Sequence, residues 1–146
     1  MIRVKSAREV ELMRRAGRIT AAARALAGKM VVPGVTTLEI DKAVNAFIKS
    51  QGAVPTFLNY GGFPKSVCIS VNDVVCHGIP SPDTILQEGD IVNFDITTIL
   101  DGYYADASRM YVVGGKTTPE AQRLVDVTQE CMNLGIAAAK PWGWLG

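Results

Sequence analysis

Apolar positions along this chain change their period between its first and second thirds. From Leu12 they recur at Ala16, Ile19, Ala23 and Leu26, three or four residues apart, the spacing that lines one face of a helix. Ser6-Ala7-Arg8-Glu9 stands in front of that stripe with the form of a capping box, so the spacing predicts an amphipathic helix to about Lys29. Val31-Val32-Pro33-Gly34 breaks it. Thr36 and Glu39 make a second capping box ahead of Ile40, Ala43, Val44, Phe47 and Ile48, and Gly52 closes the second helix. Beyond Ala53 the texture turns to loop residues with aromatics over 55–64, followed by a strand-like run from Ser66 to Val71. Between Asp90 and Tyr111 apolar residues alternate on both sides of Asp101-Gly102, a pair that tolerates the positive φ values of a tight hairpin turn. Gly114-Gly115 ends this hairpin. Thr118-Pro119-Glu120 then starts a third helix that carries Leu124, Val127, Cys131 and Leu134 and ends near Lys140-Pro141. Helices with apolar stripes have to lie on something, and the sheet that follows them is the available surface, which makes the class α+β.

The hairpin carries the candidate chemistry. A two-residue turn pairs Leu100 with Tyr103, sets Thr97 opposite Asp106, and sets Asp95 opposite Ser108. Asp95 and Asp106 are then diagonal neighbours on one face, with Cα atoms about 7–8 Å apart. That face also carries Asn93, Thr97, Tyr104 and Ser108, while Val92, Phe94, Ile96 and Leu100 lie on the other and read as core. An antiparallel ribbon often turns a polar face to water, which is one reading. The other is a divalent metal site. Two carboxylates within about 4 Å repel by about 4 kcal/mol at an effective dielectric of 20, so a converged pair needs a proton or cation between them. Hard oxygen ligands suit Mn, Fe, Co or Zn better than a thiolate-selecting ion. The hairpin alone does not choose between the two.

Composition narrows the classes. The 146 residues fit a single domain, 1–146, and an apolar share of 48% is enough for a real core. Net charge is +1 with mixed signs, which points to no nucleic acid and no anionic membrane surface as partner. The N-terminus is charged without an apolar segment behind it, and the expected location is cytoplasmic. Cys68, Cys76 and Cys131 form no close-spaced metal pair and are odd in number, so they are expected to be reduced and mostly buried. His77, the only histidine, sits beside Gly78 and Pro80, where a turn lets a side chain project into a cleft.

Lys65-Ser66-Val67-Cys68-Ile69-Ser70-Val71-Asn72, then Val75-Cys76-His77-Gly78-Ile79-Pro80, then Gly89 through Asp95 and Asp101 through Asp106 resemble type I methionine aminopeptidases in order and spacing. The likeness runs over nearly the whole chain to Lys140-Pro141. It implies the pita-bread (creatinase/aminopeptidase) fold, half of it, with a curved antiparallel sheet covered by amphipathic helices. It implies excision of N-terminal methionine from peptides by hydrolysis at a dinuclear metal centre of Co, Mn, Fe or Zn type. Asp95 and Asp106 would be metal ligands, with Asp106 bridging, and His77 would meet the substrate near the scissile amide. Tyr60, Phe63 and Cys68, with Phe57 nearby, match positions that wall the slot for the methionine side chain. Asn72 and Val74 match positions whose main-chain oxygens help hold a monovalent cation, Na or K.

In that family a second half supplies a histidine and two glutamates as the remaining ligands, and no second half follows here. The resemblance therefore implies an N-terminal half, truncated, whose metal affinity and peptidase activity alone are poor. Its partners would be N-terminal methionyl peptides, and either a complementary C-terminal half or a second copy as a homodimer. Two further readings stand beside it: a non-catalytic half serving as a binding or oligomerisation module, and an unproductive fragment. Apolar surface left on the sheet face where the other half would pack is expected to favour self-association.

Overall fold

The computed structural model describes residues 3–144, which divide into two compact units, the first ending at Lys116 and the second beginning at Thr117. The first holds α1 (Ala7–Lys29), α2 (Thr37–Ser50), β1 (Val54–Pro55), β2 (Cys68–Val71), β3 (Ile91–Leu100) and β4 (Tyr103–Val112). Both helices begin as their sequences predict. Ser6 Oγ accepts from Glu9 N while Glu9 Oε2 accepts from Ser6 N, and Thr36 and Glu39 repeat the exchange at α2.

The sheet is built around β3. β4 pairs along its whole length, from Ile91↔Val112 to Leu100↔Tyr103. On the other edge β2 takes the first half, Cys68↔Asp95 through Val71↔Val92, and β1 takes Thr98 and Ile99. β2 is shorter than the predicted run from Ser66. The amides of Ser66 and Val67 donate instead to Asp41 Oδ1 of α2, at 2.7 and 3.1 Å, so a buried carboxylate takes them before a ladder can.

One face of the sheet is covered by α1 and α2. Phe94, Val92 and Ile96 meet Ile40, Val44 and Ile48 of α2 and Ala23 and Ala27 of α1 in one core. The fully buried positions of α1 are Ala16, Thr20, Ala23 and Ala27, while Leu12, Ile19 and Leu26 stay half-buried. Small residues let the helix lie close: a Cβ on Gly28 would come within 2.6 Å of the Tyr111 ring, and Tyr111 donates its hydroxyl to Arg24 O at 3.2 Å. Within the contact the Thr20 and Thr98 hydroxyls are 2.6 Å apart, with Ala16 O and Ala105 O as further acceptors. This buried polar pair is fully partnered, so it fixes the height of α1 on the sheet without the desolvation cost of an orphan group.

The uncovered face mixes polar residues with apolar ones, Tyr104 among them and 58% exposed. Strand alternation puts Asn93, Asp95, Thr97, Asp106 and Ser108 on it. Exposed large apolar side chains of the first unit include Val74, Val75, Ile79 and Ile85, in the loop between β2 and β3. In the second unit α3 (Pro119–Ala138) is capped by the Thr118 hydroxyl, and none of its residues is buried, with Leu124, Val127, Leu134 and Ile136 exposed. No helix among the described residues is long and apolar enough to cross a membrane.

Asp41 has no cation in hydrogen-bonding contact: burial pushes its carboxyl pKa up, and the Ser66 and Val67 amides with the Lys65 charge pull it back. Asp41→Ala leaves two buried amides without an acceptor and is expected to cost about 2 kcal/mol or more in urea denaturation. Asp41→Asn keeps an acceptor oxygen and is expected to cost clearly less.

Candidate metal and substrate site

The register of β3 on β4 brings the site together. Thr97 lies opposite Asp106 and Asp95 opposite Ser108, as the two-residue turn predicts, and Asp101 takes the required positive φ of 51°. Paired residues share a face, so both carboxylates stand on the uncovered side. Asp106, exposed, accepts from Thr97 Oγ1 at 2.9 Å, which fixes one oxygen of its carboxylate. Asp95 is half-buried, and its pKa is pushed up to about 6. Burial is the main cause. The Asp106 charge and a hydrogen bond shared with Asp106 add to it, and His77 opposes. Each acid is thus close enough to feel the charge of the other, and the imidazole is close enough to be felt by Asp95.

Cys68 on β2 is the cross-strand partner of Asp95, buried on the same face. Burial, then Asp95, Cys76 and Asp106, push its thiol up to about 12. His77 is exposed, in the segment that returns alongside β2, with φ 54°. All three cysteines are free, but only Cys68 is buried; Cys76 and Cys131 are exposed, against the expectation from the sequence. Cys76 lies in a loop whose main chain follows the edge of β2 rather than entering the core.

The aromatic loop behaves unevenly. Phe57 and Phe63 meet edge to face, ring centroids 6.0 Å apart, whereas Tyr60 is 75% exposed in a short 3-10 turn. Asn72, at φ 51°, ties the loop to β3: its Nδ2 donates to Asp90 Oδ1 at 2.8 Å and its Oδ1 accepts from Ile91 N at 3.1 Å. Val74 donates its N–H to Val71 O, closing the turn after β2.

Two residues of this face escaped the sequence reading. Ser70 pairs with Asn93, two positions along from Cys68, and period-two counting along β2 would have found it. Thr56 donates its N–H to Thr97 O, which extends the β1 register and sets its side chain beside Thr97. Its hydroxyl oxygen is shut off from solvent without a hydrogen-bond partner among the described residues, a candidate contact for whatever the face binds. Among the described residues no group of three His, Cys, Asp or Glu side chains is placed to hold a metal ion.

Residues 11–145 match the model of metallopeptidase family M24. The chain belongs to that family. This M24 chain is 49% identical to methionine aminopeptidase A of Synechocystis over 145 residues, 99% of its own length and 57% of the relative's. It is 46% identical to the methionine aminopeptidase of Escherichia coli K12 over 141 residues, 96% of its own length and 53% of that protein. Crystal structures of methionine aminopeptidases from Rickettsia prowazekii and Thermotoga maritima superpose with TM-scores of 0.88 and 0.91, at 46% and 38% identity. They cover 93% and 97% of this chain against 54% and 56% of theirs. The fold is thus the pita-bread type of these aminopeptidases. A prolidase from Pyrococcus furiosus shares it at 23% identity and a TM-score of 0.79. The chain spans about half the length of the curated relatives it matches.

Two measurements check the electrostatics. In metal-free buffer the raised Asp95 pKa means that the folded chain holds a proton the unfolded chain releases near the ordinary carboxyl value of 3.8. Its contribution to stability is full below that value and is lost as pH rises through about 6. Asp95→Asn is expected to flatten this part of the melting temperature profile. Because the thiolate is the reactive form, iodoacetamide at neutral pH is expected to alkylate Cys76 and Cys131 rapidly and Cys68 slowly, as read by mass spectrometry.

Proposed function

We propose that this chain carries the carboxylate and substrate-facing part of a methionine aminopeptidase, which removes the N-terminal methionine of peptides and nascent proteins by hydrolysis. One observation carries the reading: two carboxylates set diagonally on one face of the β3–β4 ribbon and close enough to perturb each other, in a chain aligned over 99% of its length with such an enzyme. A cation between Asp95 and Asp106 relieves a repulsion that the metal-free pair meets by keeping a proton.

Hard oxygens at this spot fit a divalent first-row ion such as Mn, Fe, Co or Zn, which Asp95 and Asp106 would hold, Asp106 as the ligand shared between two ions. When bound, such ions supply Lewis acidity toward the scissile carbonyl and lower the pKa of water. Thr97, by holding one oxygen of Asp106, keeps that carboxylate turned toward the shared position. His77 donates a hydrogen bond to the oxygen that gains charge as the amide carbon becomes tetrahedral. Phe57, Phe63 and Tyr60 with Cys68 wall the slot for the methionine side chain, where rings and a neutral thiol suit a thioether. A small residue after the methionine suits the approach to the scissile bond. The main-chain oxygens of Asn72 and Val74 hold a monovalent cation, Na or K. N-terminal methionyl peptides are the substrates. The exposed apolar side chains of the β2–β3 loop and of α3 suit a complementary segment or a second copy of the chain, which brings the donors that complete the metal set.

Two carboxylates alone make a weak divalent site. With Co or Mn added, the isolated chain is expected to release little methionine from a Met-Gly-Met peptide. Titration calorimetry is expected to give weak binding that falls at least about tenfold in Asp106→Asn. Turnover by the isolated chain far above that variant would overturn the incomplete-set account. Metal binding that ignores Asp106→Asn would overturn the assignment of the pair.

A further inference from the structure

His77 is held in a backbone conformation that a side chain other than glycine seldom takes. A φ of 54° lies in the left-handed region, and such a conformation persists only where its surroundings over-determine it. Three features of the adjoining chain do so. The Ile69 N–H donates to the Gly78 carbonyl at 2.9 Å. The Gly78 N–H donates to Ser70 Oγ at 3.2 Å. Gly78 itself lies so tightly on β2 that a Cβ there would overlap the Ile69 carbonyl oxygen and come within 3.0 Å of Ser70 Cα, so only glycine fits.

The bond to Ser70 differs in kind from the other two. The Gly78 N–H belongs to the planar peptide unit that joins His77 to Gly78, so its direction follows ψ of His77. A hydroxyl that accepts it acts on the dihedral that aims the imidazole. The Ile69 bond holds only the far side of Gly78. Ser70 is 5% exposed and fixed in the ladder opposite Asn93, so its hydroxyl is a stationary anchor. It stands on the same sheet face as Cys68 and Asp95, two residues along β2.

We propose that Ser70 is a positioning residue: by clamping the Gly78 amide to β2 it holds His77 left-handed and directs the imidazole over the face that carries Asp95 and Asp106. Without the hydroxyl the His77–Gly78 peptide unit rotates, the strain at His77 relaxes, and the imidazole leaves that face. This role rests on the reading of His77 as the group that meets the substrate, whereas the clamp can be measured without any substrate.

His77 is the only histidine, so an isotopically labelled full chain gives a single imidazole signal in NMR. In Ser70→Ala the Gly78 amide is expected to exchange with solvent about tenfold faster, as for the loss of one hydrogen bond of ordinary net strength. The imidazole signal is expected to shift and broaden. Ser70→Thr, which keeps the hydroxyl, is expected to retain the wild-type behaviour of both. Gly78→Ala displaces the segment from the other side and is expected to move the imidazole signal with Ser70 intact. In a preparation that hydrolyses a methionyl peptide, Ser70→Ala is expected to lower kcat while KM stays within about twofold, and to add nothing to His77→Ala. An unchanged imidazole signal and unchanged Gly78 exchange in Ser70→Ala would overturn the clamp. So would an unprotected Gly78 amide in the wild-type chain, a result that decides the matter even where the alanine variant does not fold. A displaced imidazole with unaltered kcat would refute the part of His77 in the reaction, and with it the positioning role of Ser70.

Discussion

The structure turns on two like charges being kept side by side. Asp95 and Asp106 stand diagonally across the β3–β4 ribbon because ten consecutive backbone pairs leave them no other register. Slipping the ribbon by one residue would put the two acids on opposite faces and send one of them into the apolar core. The buried side of the hairpin thus enforces the arrangement of its polar side, and the repulsion is tolerated because the ladder cannot yield locally. Half-burial of Asp95 raises the cost of its charge further, which is why this pair keeps a proton into the range of pH 6. A cation is the other way to meet the same demand.

Everything behind the sheet serves to keep that ribbon still. α1 reaches it through small residues and a hydroxyl pair, Thr20 and Thr98, whose partners are all satisfied. α2 contributes Ile40, Val44 and Ile48 to the core. It also contributes Asp41, which sets where β2 begins by taking the Ser66 and Val67 amides. The start of β2 matters because Cys68 and Ser70 enter the uncovered face from it, beside Asp95 and Asn93. A buried carboxylate on the covered side thereby determines which residues stand on the open one.

The open face gathers the candidate chemistry of this metallopeptidase family M24 chain. It presents two acidic side chains with a strained histidine close by, while no third potential metal-ligating side chain joins the acids among the described residues. Exposed apolar residues of the first unit stand in the β2–β3 loop, at Val74, Val75, Ile79 and Ile85, and on the open face itself at Tyr104.

Much of this was legible in the residues themselves. Helix starts, the Asp-Gly turn and the strand alternation are local properties, encoded within three or four positions, and they were enough to bring Asp95 and Asp106 to one face before any tertiary contact was known. The family likeness likewise rested on short runs such as Val75 through Pro80. What sequence could not reach depends on residues far apart in the chain: Asp41 shortening β2, Thr20 meeting Thr98, Tyr60 remaining exposed while Phe57 and Phe63 touch, and Ser70 holding Gly78. The left-handed turn at His77 is of this second kind, since nothing in Cys76-His77-Gly78 requires it. It arises because β2 offers a main-chain donor and a fixed hydroxyl where the returning segment must pass, and only the folded chain brings those groups together.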